Sequence, residues 1–259
     1  MSHTLITGAS SGIGEAFARR LAKDGHNLFL VARSEDKLRD LCNELASKHG
    51  IDARYFAADL IDVDSDLAVF EETEKQGLEI DWLINNAGFG SMGDFAELDL
   101  ERELEMIELN ITAVVALSHH YLGKMRERRS GTIINVSSGA SFQPIPFFAT
   151  YAATKAFVNS FTEAIAEENR PFGIQILALC PGTTDTRFFE ASGIDDPLTF
   201  KGVQTPDQVV ETAIKALHSG RQKIVSGWAN YFVASAVNLI PNSLITRLMA
   251  KPLRKRYQK

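Results

Sequence analysis

Short apolar runs and amphipathic stretches alternate along most of the chain. Apolar runs at residues 3–7, 27–33, 53–57, 81–85, 132–137 and 174–180 have strand length. They are apolar almost throughout rather than at every second position, as expected of a parallel sheet covered on both faces. Helical spacing fills the intervals 12–25, 34–49, 64–76, 100–129 and 150–172. In the second of these, Ser34 is placed at the N-cap, Lys37 leaves no capping box, and Leu38, Leu41 and Leu45 form the apolar stripe. Pro206 opens a further helix ending near Gly220, and residues 223–226 read as a last short strand. Repeated strand–helix–strand units with right-handed crossovers predict a doubly wound α/β sheet with helices on both faces. No linker, repeat or low-complexity stretch interrupts the pattern, so one domain over residues 1–259 is expected.

Composition narrows the class. Apolar residues make up 45% of the 259 positions, enough for a sizeable core, and charged residues 23%. The formal charge of −6 argues against a nucleic-acid-binding surface. Cys42 and Cys180, far apart, suggest reduced thiols, and the six histidines, including the pair His119-His120, lack ligand spacing, so no metal is expected. With no leader segment before the first apolar run, a cytoplasmic protein is expected.

The chemistry starts at the first strand's end, where residues 7–14 read Thr-Gly-Ala-Ser-Ser-Gly-Ile-Gly. Gly8 permits a sharp turn, Gly12 lets backbone amides approach a pyrophosphate, and Gly14 lets the next helix pack closely. The helix N-terminus then offers N–H groups and a positive dipole end. Gly8, Ser10, Ser11, Gly12, Ile13 and Gly14 are therefore assigned to a dinucleotide. Further on, Tyr151 and Lys155 share one helix face. An ammonium beside a phenol favours the phenolate and lowers its pKa towards the working range. Ser137 and Ser138 end a strand, where ligands of open α/β sheets bind.

With Asn85-Asn86-Ala87-Gly88, Asn110 and Pro181-Gly182 in the same order, the chain resembles the single-domain short-chain dehydrogenase/reductases over residues 3–226. The resemblance implies a Rossmann-type sheet of about seven strands in the order 3-2-1-4-5-6-7. It implies that Tyr151 is the acid in carbonyl reduction and the base in alcohol oxidation. Lys155 would lower its pKa and hold the nicotinamide ribose, and Ser138, thirteen positions before Tyr151, would hold the substrate oxygen. Asn110 would keep a water in the proton relay. Asn86, Ala87 and Gly88 would border the adenosine, Asp59 and Leu60 the adenine, and Pro181, Gly182, Thr184 and Thr186 the nicotinamide.

At the end of the second strand, Leu30-Val31-Ala32-Arg33-Ser34 has no carboxylate for a free ribose hydroxyl, and Arg33 suits a 2′-phosphate. Ser10 and Ser11 can add donors. The expected cofactor is NADP(H), and the expected direction is reduction. Apolar segments at 142–148 and 187–189 suggest a hydrophobic ketone, aldehyde or acyl substrate. Residues 182–205 read as a substrate loop, in which Arg187 is a candidate for an anionic group. The family usually assembles, so a homodimer or homotetramer is expected. The competing reading is an NADP-binding sensor or scaffold without turnover, against which Asn110, Ser138, Tyr151 and Lys155 are all present.

The tail stands apart. Residues 228–246 carry no formal charge, and the last nine include five cations and no acid. Such a segment can lie on an anionic membrane. The favoured expectation is instead that it covers the substrate site or makes a subunit contact, burying Trp228, Phe232, Leu239 and Leu244.

Overall fold

The computed structural model describes residues 2–186, 188–192, 203–237 and 240–258. Seven parallel strands form one sheet in the order β3-β2-β1-β4-β5-β6-β7. They are β1 (Ser2–Thr7), β2 (Asn27–Ala32), β3 (Ala53–Ala57), β4 (Glu79–Asn85), β5 (Gly131–Val136), β6 (Ile174–Cys180) and β7 (Lys223–Val225). The order reverses between β1 and β4, which opens a crevice at the strands' C-terminal ends.

The near-continuous apolar runs feed two cores. Ile6, Leu28, Leu30, Ile84, Ile134, Leu177 and Leu179 face one side, while Leu5, Phe29, Val31, Leu83, Ile133, Ile174 and Ile176 face the other. Alternation by two along each strand therefore serves two apolar layers, with about 1.5–3 kcal/mol for each large side chain fully removed from water. Helices α1 (Gly12–Lys23), α2 (Glu35–His49) and, near the end of the chain, α8 (Pro206–His218) cover the first core. α3 (Ser65–Lys75), α5 (Ala113–Arg128) and α6 (Ala149–Asn169) cover the second. α8 begins with a capping box in which Thr205 and Gln208 bond each other's backbone amides. Ser34 does stand at the N-cap of α2, but its side chain makes no capping bond.

One expected feature is corrected. The single helix expected over 100–129 is broken into α4 (Leu100–Ile107), a π-helical turn at Glu108–Thr112, and α5. The wide turn carries Asn110, fully buried, whose carboxamide is drawn into bonds with the backbone of Phe89. A short α7 (Phe188–Ala191) follows β6, and helices continue beyond β7. The tail forms α9 (Trp228–Val237) and α10 (Asn242–Tyr257), the latter with Pro252 inside it.

A buried polar chain ties the middle of the sheet together. Asn85 Nδ2 donates to Ser118 Oγ (3.1 Å) and to Asn135 Oδ1 (2.8 Å), and Asn135 Nδ2 donates to Thr162 Oγ1 (3.0 Å). These bonds pin β4 and β5 to α5 and α6 directly beneath the crevice. Among the described residues no group of three or more His, Cys, Asp or Glu is placed to hold a metal.

Candidate active site

The crevice at the strand ends is a cavity of about 800 Å³. Its first wall is the loop after β1. Gly8 and Gly12 both have positive φ (+64° and +60°), which side chains with a Cβ disfavour. A Cβ on Gly8 would come within 2.8 Å of Asn86 Nδ2, and one on Gly14 would strike the Gly8 carbonyl. A Cβ on Gly12 would meet the Thr186 methyl at 3.1 Å. The three glycines thus hold loop, helix and the segment after β6 in close approach. Thr7 locks the arrangement: its hydroxyl accepts from the amides of Asn86 (2.9 Å) and Ala87 (3.0 Å) and donates to the Ile84 carbonyl (3.4 Å). Asn86 Nδ2 in turn donates to the Thr7 carbonyl at 2.9 Å.

The neighbouring serines part company. Ser137 is buried and donates to the Lys155 carbonyl at 2.9 Å, a structural bond. Ser138 faces the cavity, and its Oγ accepts from Ala140 N at 3.1 Å. Tyr151 and Lys155, both buried, reach the cavity from α6 as the four-residue spacing requires. Phe148 stacks on the Tyr151 ring (centroids 4.5 Å apart), and Phe188 tilts against it (5.3 Å). Lys155 Nζ donates to the Val136 carbonyl at 3.0 Å and lies 5.8 Å from the Tyr151 ring centroid.

This geometry corrects the expected electrostatics. Burial among aromatic rings pushes the Tyr151 hydroxyl up to about 12, only partly opposed by a hydrogen bond with Ser138. Burial also pulls Lys155 down to about 8. The strongest influence on each group is loss of water, not its neighbour's charge.

Asn110 is placed differently from the rest. It does not line the cavity; Nδ2 donates to the Phe89 carbonyl (3.0 Å) and Thr154 Oγ1 (3.1 Å). It supports the cavity floor, because a Cβ on Gly88 would meet Asn110 Oδ1 at 2.7 Å and Lys155 Nζ at 3.3 Å. Gly14 likewise acts through packing, outside the lining.

The remaining expected cofactor residues converge. Ser10, Ser11, Ile13, Arg33, Asp59, Leu60, Ala87, Gly88, Pro181, Gly182, Thr184 and Thr186 all line the cavity. Arg33, with 66% of its side chain exposed, lies 3.6 Å from the Asp59 carboxylate. The Pro181 carbonyl accepts from Gly139 N at 2.7 Å, which holds the strand β6 exit against the Ser138 turn. Thr184 and Gln204 form an isolated bridge, so the two ends of the 182–205 loop are tied together. Arg187, the Phe189 side chain, residues 193–202 and Leu239 lie outside the described residues.

Opposite the dinucleotide wall the lining is mostly apolar: Phe89, Met92, Leu109, Ile145, Phe148 and Phe188. Gln143 is an exception, with a buried Oε1 that has no internal partner. Arg102 also lines it, with its guanidinium 3.7 Å over the Phe89 ring. Phe89, Met92, Arg102 and Leu109 escaped the sequence reading; only Phe89, following the Asn-Asn-Ala-Gly run, had a signal nearby. The tail helices close this end through Ala229, Asn230, Val233, Ala234, Val237, Ile245 and Met249. That meets the expectation of a cover, in which Trp228 and Phe232 take no part. Trp228 is 79% exposed and Phe232 64%, and Leu244 is also exposed. α9 turns its small residues inward and its aromatic residues out.

A dinucleotide fits this chain's residues. Ser10, Ser11, Gly12 and Ile13 line the cavity, and Ser11 stands at the N-cap of α1 without a side-chain capping bond, leaving the first-turn amides to an anion.

A family model for short chain dehydrogenase matches residues 2–196. Very-long-chain 3-oxoacyl-CoA reductase of Mus musculus is 31% identical over 267 aligned positions, covering 98% of this chain and 81% of that protein. The 7beta-hydroxysteroid dehydrogenase of Mediterraneibacter gnavus is 32% identical, over 87% of this chain and 86% of its own. Among solved structures, a short-chain dehydrogenase from Sphingobium yanoikuyae in complex with NADPH superimposes with a TM-score of 0.83 at 31% identity, covering 92% and 94% of the two chains. A 3-oxoacyl-[acyl-carrier protein] reductase from Brucella melitensis with bound NAD gives a TM-score of 0.75 at 25% identity, covering 87% and 90%. Such neighbours hold NADPH in one case and NAD in another. Sheet order, motifs and matched length agree: the chain is an oxidoreductase of the short-chain dehydrogenase/reductase family, which acts on carbonyl and hydroxyl groups.

Proposed function

We propose that the protein reduces the carbonyl of a hydrophobic ketone, aldehyde or acyl compound to an alcohol, using NADPH. The observation that carries this reading is the convergence of Ser138, Tyr151 and Lys155 in a cavity whose far wall is mostly aromatic and aliphatic. The bound nicotinamide supplies the hydride. Gly8 to Ile13 and the α1 N-terminus hold its pyrophosphate, and Arg33 meets the 2′-phosphate at the exposed rim. Lys155 binds the ribose hydroxyls. Ser138 Oγ donates to the substrate oxygen, and Tyr151 gives its proton to that oxygen as negative charge develops there.

Reduction is read from NADPH as the usual cellular reductant, and the burial of Tyr151 suits that role. A phenol pushed up to about 12 keeps its proton at neutral pH and is ready to donate it, whereas alcohol oxidation would need the phenolate. The relatives named for 3-oxoacyl-CoA and hydroxysteroid substrates support a large hydrophobic carbonyl compound for this chain as well. Buried Gln143 Oε1 offers such a substrate one acceptor on an otherwise apolar wall.

The test is NADPH consumption with a panel of hydrophobic ketones, comparing the protein with Tyr151→Phe. Loss of the proton donor is expected to lower kcat by about 10²–10⁴-fold and leave NADPH affinity intact. NADPH binding without turnover on any ketone would move the reading to a sensor. An active Tyr151→Phe variant would remove Tyr151 from the mechanism.

A further inference from the structure

The outer face of the tail breaks the usual rule for a surface helix, which turns its apolar stripe to the core. On α9, Trp228, Tyr231 and Phe232 lie at spacings of three and four residues, so they share one face, and all three are exposed. On α10, Leu244 and Leu248, one turn apart, are exposed too. Val233, Ile240, Leu244 and Leu248 both line the cavity and reach solvent, so the lip of the cavity is apolar.

Charge marks the same segment. From Trp228 to the last residue there is no acid, and Arg247, Lys251, Arg254, Lys255 and Arg256 fall on α10 or its last turn. The whole chain carries −6, so the segment that bears the apolar face is also the cationic exception in an acidic protein. Exposed tryptophan and tyrosine flanked by Lys and Arg suit the boundary between lipid headgroups and acyl chains. A two-fold contact between copies would set the cationic helix and its surroundings against themselves, which the absence of any acid in the segment disfavours. No described helix is long and apolar enough to cross a membrane, so a surface that lies on lipid is the matching geometry.

We propose that the α9–α10 face docks on an anionic lipid surface, with Trp228, Tyr231 and Phe232 entering the interface and the α10 cations meeting the headgroups. Docking sets the apolar lip of the cavity against the lipid. It stands on this surface alone and holds whichever carbonyl is reduced.

The test is cosedimentation of the full chain with phosphatidylcholine vesicles, with and without phosphatidylglycerol, alongside Trp fluorescence. Binding is expected only with phosphatidylglycerol, weakened by salt, with emission moving to shorter wavelength. Trp228→Ser with Phe232→Ser is expected to weaken it at least about tenfold, and Arg254→Gln, Lys255→Gln and Arg256→Gln by about fivefold per cation removed. Neither the serine pair nor the glutamine set touches the cavity lining, so turnover of a water-soluble ketone and the thermal midpoint check that these variants remain folded. Absence of vesicle binding, or binding unchanged in the Trp228/Phe232 variant, would overturn the proposal. So would a dimer in sedimentation that the same variant dissociates, since the face would then be a contact between copies.

Discussion

The cavity has two unlike sides. Its dinucleotide side is built from backbone: Gly8 and Gly12 at positive φ, Gly14 against the Gly8 carbonyl, and Thr7 holding two amides of the next loop. Its far side is built from side chains that exclude water, closed by two helices that contribute mainly aliphatic contacts. A backbone cradle allows few residue types at each position. An apolar wall accepts any set of side chains with the right total volume. The first side therefore fixes one ligand chemistry, and the second leaves room for substrates to differ between relatives.

The backbone side should be the more brittle, and Gly14→Ala is the sharpest blow to it. The new Cβ meets a carbonyl that cannot swing aside, so a loss of about 3 kcal/mol is expected, visible as a thermal midpoint lower by about 6–12 °C together with weaker NADPH binding. An unchanged midpoint would mean that the loop yields more readily than its packing indicates.

Lys155 gives the next largest effect, and its sign depends on pH. Burial lowers its pKa from 10.5 to about 8, so the folded protein carries the cost of a buried charge that the unfolded chain does not. That cost is complete below about pH 8 and is relieved as pH rises to about 10.5, where the unfolded chain also loses the proton. Lys155→Met is expected to abolish turnover yet stabilise the fold by about 2 kcal/mol at pH 7, after allowance for the lost bond to the Val136 carbonyl. The gain should vanish near pH 10.5 in denaturant titrations; a variant less stable at pH 7 would contradict it.

Arg33, exposed on the rim, has the smallest effect. Arg33→Ala is expected to raise the NADPH dissociation constant about tenfold and leave NADH binding unchanged, measured by fluorescence titration of both cofactors. Equal effects on the two would detach Arg33 from the 2′-phosphate.

The same contrast explains what could be read from the sequence. The glycine cradle and the shared face of Tyr151 and Lys155 were legible because turn geometry and helix periodicity constrain them tightly, whereas the strand order and the choice of Ser138 over Ser137 came from the family resemblance. The π-helical turn at Asn110 was not, since adding one residue to a helical turn leaves the apolar pattern of 100–129 almost intact. The pKa direction of Tyr151 was misjudged, because spacing reveals a neighbour and burial appears only once Phe148 and Phe188 are packed beside it. In the tail, Trp228 and Phe232 were expected to be buried, over the substrate site or in a subunit contact, on hydrophobicity alone. The small residues Ala229 and Ala234, which allow close approach to the cavity, turned inward instead.

The Thr7 hydroxyl has a consequence for how the chain acquires its shape. Its partners are Ile84, Asn86 and Ala87, some eighty residues further along, and β1 lies between β2 and β4. The glycine loop leaves the ribosome before β4, yet it has nothing to close upon until β4 has been made and paired. Synthesis order and maturation order thus differ at this site: the earlier segment is completed only by a later, long-range contact.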